Sequence, residues 1–245
     1  SFCEEKNISE DQLSSEMEYW YNGYRFSENT VKVFNPFSTL LAFDKKSFKN
    51  YWFETGTPAF LIQMMKEKEY DIKNIPTEVP SSSFSTYELE NMDVLPLLFQ
   101  TGYLTLKGNN PIEMTYTLDY PNFEVKNSFL SYLLNSYSKN KVASGQIILL
   151  VRALRENNFD KVFQLLTNIF SSIPYDIHIE MEKYYQSLFY LIFSLIDTRI
   201  EVAAEKRTSK GRIDIILIDR CIYIIEFKFG GTKEGALQQI KDKKY

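Results

Sequence analysis

Two apolar runs near the C-terminal end constrain this chain more than any other feature. They are Gly211-Arg212-Ile213-Asp214-Ile215-Ile216-Leu217-Ile218 and Ile222-Tyr223-Ile224-Ile225-Glu226-Phe227-Lys228, separated by Asp219-Arg220-Cys221. Both are rich in β-branched residues and read as strands joined by a tight turn. Three charges interrupt them: Asp214, Glu226 and Lys228. Strand side chains alternate faces, so Glu226 and Lys228 share one face with Ile222 and Ile224. A carboxylate and an ammonium in such runs cost several kcal/mol unless paired or bound to a cation. The pattern therefore marks a site.

The rest of the chain supplies helices and a second pair of strands. Ser9–Tyr19 reads as a polar helix, Asn22-Gly23 as a turn, and Pro36 as the opening of a helix to Phe43. A further helix is expected over Ala59–Lys68. The aromatics Trp20, Tyr21, Tyr24 and Phe26 read as core. Asp93–Gln100 predicts a helix, Gly102–Leu106 and Met114–Leu118 two strands, and Phe123–Tyr137 a helix, a winged-helix-like order. Ile147–Arg155 and Phe159–Phe170 continue as amphipathic helices. Ile179–Ile196 carries a helical stripe of Tyr185, Leu188, Phe189, Ile192, Leu195 and Ile196, with Glu182 three residues before Tyr185. Strands then follow at Arg199–Lys206, Arg212–Ile218 and Ile222–Phe229, and a last helix is capped by Thr232. The fold class expected is α+β, in three regions: residues 1–80, 81–174 and 175–245.

Charge is unevenly spread. The chain carries −4 overall, yet Arg199–Tyr245 holds 11 Lys/Arg against 7 Asp/Glu, a net of +4, leaving −8 on the remainder. A basic excess around the suspected site suits a phosphate-bearing partner. No apolar run reaches the roughly 18–20 residues of a membrane span. The start, Ser1-Phe2-Cys3-Glu4-Glu5, has no signal-peptide character, and Cys3 and Cys221 form no disulfide framework. A cytoplasmic setting is expected. His178 lies four residues before Glu182, but one His and one Glu make a poor metal site, and a solvent-facing or capping role is expected. No GxxxxGK[ST] loop occurs, so no ATP site is expected in this chain; Gly230-Gly231-Thr232-Lys233 has the wrong spacing.

Asp214, eleven intervening residues and Glu226-Phe227-Lys228 resemble the core motif of the PD-(D/E)XK nuclease superfamily. Glu205 before the Gly-Arg-x-Asp turn, and Ala236-Leu237-Gln238-Gln239-Ile240 after the Glu-x-Lys strand, sharpen the likeness to the nuclease domain at the C-terminus of prokaryotic AAA-ATPase-like proteins. The aromatic blocks of residues 1–80 resemble the C-terminal part of the ATPase-like region that precedes such a nuclease. The strings LLFQTGYLTLKG and YPNFEVKNSF resemble the central segment.

The resemblance implies a restriction-endonuclease-like core with a mixed sheet over residues 175–245, truncated before its last strand. It implies a metal-dependent nuclease acting on nucleic acid, expected to be DNA. Asp214 and Glu226, with the Phe227 carbonyl, would hold Mg²⁺ or Mn²⁺, ions that prefer oxygen ligands. Lys228 would position the attacking water. Glu182, Glu205 and Gln239 would complete the site, and Tyr245 occupies a further matching position. The alternative is a non-catalytic module that binds nucleic acid or a partner. The chain lacks an initiating Met and stops at Lys243-Lys244-Tyr245. It is therefore expected to be a fragment, weak or inactive alone, with an open sheet edge available for self-association.

Overall fold

Ser9 shows how the N-terminal helices are set. Its hydroxyl accepts from Gln12 N at 3.2 Å while Gln12 Oε1 accepts from Ser9 N at 2.9 Å, a reciprocal cap that starts α2 (Glu10–Tyr21). The same device at Ser1 and Glu4 starts α1 (Phe2–Lys6). Pro36 opens α3 (Pro36–Lys45) behind the Asn35 cap. The computed structural model describes residues 1–28, 31–55, 59–75, 77–84, 93–138, 144–171, 181–196, 201–208, 211–218, 221–226 and 232–243. These include ten α-helices and two antiparallel sheets of three strands each, an α+β architecture. The chain divides into two compact units, Ser1–Phe129 and Leu130–Tyr245.

In Ser1–Phe129, Phe2, Met17, Tyr21, Ala42 and Tyr51 form a core against which Leu13, Trp20, Leu41 and Phe48 pack. The Tyr21 hydroxyl donates to Lys49 O and accepts from Lys49 N, both at 3.0 Å. Helices α4 (Ala59–Glu67) and α5 (Val94–Gln100) pack together, and the first sheet follows the order β1 (Thr77–Pro80), β3 (Thr115–Asp119), β2 (Thr105–Asn110). Two expectations change here. The strand expected at Gly102–Leu106 starts at Thr105, because Tyr103 N and Leu104 N both return to Leu98 O, at 2.8 and 3.0 Å, and close α5. The hairpin also gains a third strand, since Thr77–Pro80 pairs with β3 across the expected 80/81 boundary. Tyr21 and Tyr24 are buried as expected, whereas Phe26 is 55% exposed. At Gly23, φ is +118° and an added Cβ would lie 2.1 Å from Pro121 O, so only glycine fits this turn. Pro121 and Asn122 lead into α6 (Phe123–Ser138), with Asn122 Oδ1 accepting from Val125 N at 3.1 Å.

In Leu130–Tyr245, α7 (Ser144–Arg155) packs on α8 (Phe159–Ser171) and on α9 (Met181–Ile196). Helix α9 also lies on β4 (Glu201–Thr208) and β5 (Gly211–Ile218). Enclosure from several sides explains why the expected single stripe is too narrow. Leu188 and Ile192 are buried, but so are Tyr190, Leu191, Phe193 and even Gln186 and Ser194. Tyr185 and Phe189 are half-buried and meet Phe170 of α8 at ring distances of 5.3 and 4.9 Å. The second sheet runs β4-β5-β6, with β6 at Ile222–Ile225. All its described pairings are antiparallel. Chain order is then α9-β4-β5-β6-α10, with α10 at Lys233–Lys243.

Candidate active site

Burial along β5 separates the two faces of the second sheet. Ile215 and Leu217 are fully buried, while Ile216 and Ile218 on the alternate face are half-buried. The Ile215 and Leu217 face meets α7 and α8 through Tyr223. Tyr223, paired with Leu217, shares that face. Its hydroxyl lies 3.2 Å from Asn157 Oδ1, and its ring meets Phe159 at 6.2 Å. Asp214 belongs to the opposite face and is 7% exposed.

Register brings the acidic positions into one row. Ala204 pairs with Ile215 and Lys206 with Ile213, which sets Glu205 on β4 at the rung of Asp214. On the other side Ile215 pairs with Ile225. Extended by one residue, that register sets Glu226 abreast of Asp214. The backbone thus sets Glu205 on β4 opposite Asp214 on β5, and Glu226 is the first residue past β6, one position beyond the Ile215–Ile225 pair. Cross-strand neighbours share a face, with Cβ atoms about 4.5–5.5 Å apart.

Helix α10 reaches this row from the C-terminal side. The Thr232 hydroxyl accepts from Gly235 N at 3.1 Å, the cap expected from the sequence. Ala236, Gln239 and Ile240 are half-buried, a spacing that places them on one helix face. From that face the Gln239 amide Nε2 donates to Glu226 Oε1. An amide donor fixes one carboxylate oxygen without cancelling its charge.

Of the remaining expected site residues, Glu182 lies in the first turn of α9, and the structure describes its backbone only. The side chain of Glu205 is likewise outside the description. Phe227, Lys228, His178 and Tyr245 lie outside the described residues altogether, so the expected strand beyond Ile225 and the Glu226–Lys228 pairing do too. Cys3 is half-buried and Cys221 exposed, and both are free thiols. Among the described residues no three His, Cys, Asp or Glu side chains form a metal-binding group. Asp and Glu carboxylates are hard oxygen donors of the kind Mg²⁺ and Mn²⁺ take.

A second buried carboxylate escaped the sequence reading. Glu124, in the first turn of α6, is fully buried. Its Oε1 accepts from the Ser38 hydroxyl at 2.9 Å and from Trp52 N at 2.8 Å. Burial pushes its carboxyl up to about 7, against the lowering effect of those hydrogen bonds. It joins α3, the 3₁₀ turn Trp52–Thr55 and α6 within one unit. The only sequence signal was a glutamate three residues after Pro121, which also reads as an ordinary first-turn acid.

Residues 180–245 match the family described as the PD-(D/E)XK nuclease superfamily. The matched stretch contains Glu205, Asp214, Glu226 and Gln239. The chain is also 37% identical, over 94% of its length, to a protein of Azotobacter chroococcum mcd 1 described as "Uncharacterized protein in vnfD 5'region". It spans 46% of that protein's length. No solved structure matches the chain. None of the helices, among the described residues, is long and apolar enough to cross a membrane.

Proposed function

We propose that residues 180–245 form a metal-dependent nuclease domain that hydrolyses phosphodiester bonds in nucleic acid, with DNA as the substrate. The observation that supports this reading most is the register that sets Glu205 opposite Asp214, with Glu226 one residue past the Ile215–Ile225 pair. Acidic residues opposite one another on neighbouring strands repel. A divalent cation removes that repulsion. Asp214 and Glu226, with the Phe227 carbonyl, would hold Mg²⁺ or Mn²⁺. When bound, the ion supplies Lewis-acid stabilisation of the phosphate and lowers the pKa of a water.

The chain's own groups do the remainder. Lys228 orients the attacking water and meets the negative charge that develops on phosphate. Gln239 holds the Glu226 carboxylate in one orientation. Glu205 and Glu182 complete the acidic surround. The net charge of +4 over Arg199–Tyr245 attracts a phosphate backbone. The preceding part of the chain belongs, in this proposal, to an AAA-ATPase-like module whose nucleotide-binding half is supplied by additional sequence.

The test is cleavage of linear and single-stranded DNA with Mg²⁺, Mn²⁺ or chelator. It uses Ser1–Tyr245 and a chain extended at both ends, each with its Lys228→Ala counterpart. Metal-dependent cleavage by the extended chain, lost in Lys228→Ala, is the expected result, with weaker activity from Ser1–Tyr245. Metal-independent cleavage, or an unaffected Lys228→Ala chain, would remove the proposal.

A further inference from the structure

The acidic unit Ser1–Phe129 holds a cleft of about 530 Å³, lined chiefly by Phe26, Glu28, Phe84, Phe99, Leu106 and Tyr116. Four of its walls are rings in a chain of contacts. Phe26 meets Phe99 at 6.2 Å, Phe99 meets Phe84 at 5.1 Å, and Phe84 meets Tyr116 at 5.8 Å. The Tyr116 hydroxyl donates to Glu28 Oε1, which brings the arc back to the segment carrying Phe26. Phe26 is 55% exposed. Asn109 Nδ2 approaches Glu28 Oε2 at 3.5 Å. Both donors to this carboxylate are neutral, so they orient it and leave its charge in place. Glu28 in turn raises the Tyr116 hydroxyl above its ordinary value. The neighbouring Arg25 guanidinium donates to backbone oxygens, Ser27 O at 3.2 Å and Glu28 O.

We propose that this cleft binds an arginine side chain presented by an extended basic segment of another protein. A guanidinium is flat, stacks on aromatic faces and pairs with a carboxylate in its own plane. Aromatic walls and one oriented carboxylate supply both requirements. The volume lies in the range of ligand sites, about 300–1,000 Å³. The exposed Phe26 leaves the mouth open, which suits a side chain delivered on a peptide better than a free metabolite needing enclosure. Charge points the same way. Ser1–Phe129 carries 11 Lys/Arg against 19 Asp/Glu, a net of −8, which attracts a basic segment and repels a phosphate backbone.

The experiment uses the whole chain and a fluorescein-labelled Gly/Ser heptapeptide with a central arginine, read by polarisation. Its comparisons are the same peptide with citrulline in place of arginine and a single-stranded decathymidine. The arginine peptide is expected to saturate, and citrulline to weaken it about tenfold through loss of the cation–π and charged contacts. Glu28→Gln and Phe26→Ala, both at exposed positions, should each weaken it by a similar factor while the thermal midpoint stays unchanged. Equal binding of the citrulline peptide, or no saturation at millimolar concentration, would overturn the proposal. So would decathymidine binding that depends on Phe26, which would make the cleft a base-stacking site.

Discussion

Ser1–Phe129 and Leu130–Tyr245 each bury a carboxylate, and they do so under opposite charge. The first unit has a net charge of −8 and the second, with 17 Lys/Arg against 13 Asp/Glu, +4. Glu124 in the first receives a hydroxyl and a backbone N–H from two other segments. Its neighbours are donors, and the arrangement ties local chain segments together. Asp214 in the second stands in a row whose neighbouring positions, Glu205 and Glu226, are also acidic. Burial alone therefore does not identify a site. What distinguishes the two carboxylates is what surrounds them: Glu124 draws donors from two other segments, whereas in the proposed site Asp214 would hold a cation.

Replacing each acid should separate these roles. Asp214→Asn is expected to lower metal-dependent DNA cleavage by about 10³-fold, the scale of losing an electrostatic stabiliser of the reaction. The same change keeps the side chain's size and shape, so the thermal midpoint should move little. It is to be measured on the longest chain that cleaves, with thermal unfolding alongside. Retained cleavage, or a large fall in thermal midpoint, would make Asp214 a structural acid like Glu124.

Glu124 should respond to pH instead. Its carboxyl is raised from 4.5 to about 7 by burial. A raised folded-state pKa contributes stability that is complete below 4.5 and is lost as pH climbs through 7. The loss reaches at most about 3 kcal/mol by pH 8. Trp20 and Trp52 are the two tryptophans of the chain and both lie in Ser1–Phe129, so fluorescence during urea unfolding reads this unit alone. Glu124→Gln should flatten the pH profile. An unchanged slope would move the titration to another group.

Much of the second unit was legible in the sequence because its signals are local. The Gly211–Ile218 run, the Thr232 cap and the order of helix and strands all follow from alternation, capping and helical spacing. The acidic row was only half legible. Alternation predicts which residues of one strand share a face, but not which residue stands opposite on the next strand. Glu205 meets the Asp214 level through pairing of β4 with β5, a register that sequence spacing leaves open. In the first unit the long-range contacts were silent. Ser38 with Glu124, Thr77–Pro80 with β3, and Glu28 with Tyr116 each join positions far apart in the chain. Phe26 was misread as core because aromatic content predicts burial on average, and not which ring is left at a cleft mouth.

Gly23 gives a smaller test, confined to the first unit. Gly23→Ala places a methyl against Pro121 O, where 2.1 Å is available, and holds alanine at φ +118°. A destabilisation of about 2 kcal/mol is expected from the strained backbone alone. It should appear in the tryptophan-reported transition and leave cleavage per folded molecule unaltered. A matching loss of cleavage would mean that the two units do not act independently.

Gln239→Leu should have the smallest effect and sharpens the comparison from the other side. Gln239 donates to Glu226, so in the proposed site it acts as a positioning residue. Losing an amide that orients a metal-ligating carboxylate typically costs about tenfold or more in metal affinity. The Mg²⁺ concentration giving half-maximal cleavage should rise about tenfold, with the rate at saturating Mg²⁺ falling less. Leucine keeps the bulk that α10 sets against the sheet, so thermal stability should stay level. If Gln239 merely anchored α10, the midpoint would drop and the Mg²⁺ dependence would not move. That outcome would give Glu226 the same structural role that Glu124 has in the acidic unit, and the contrast between the two buried carboxylates would then rest on Asp214 alone.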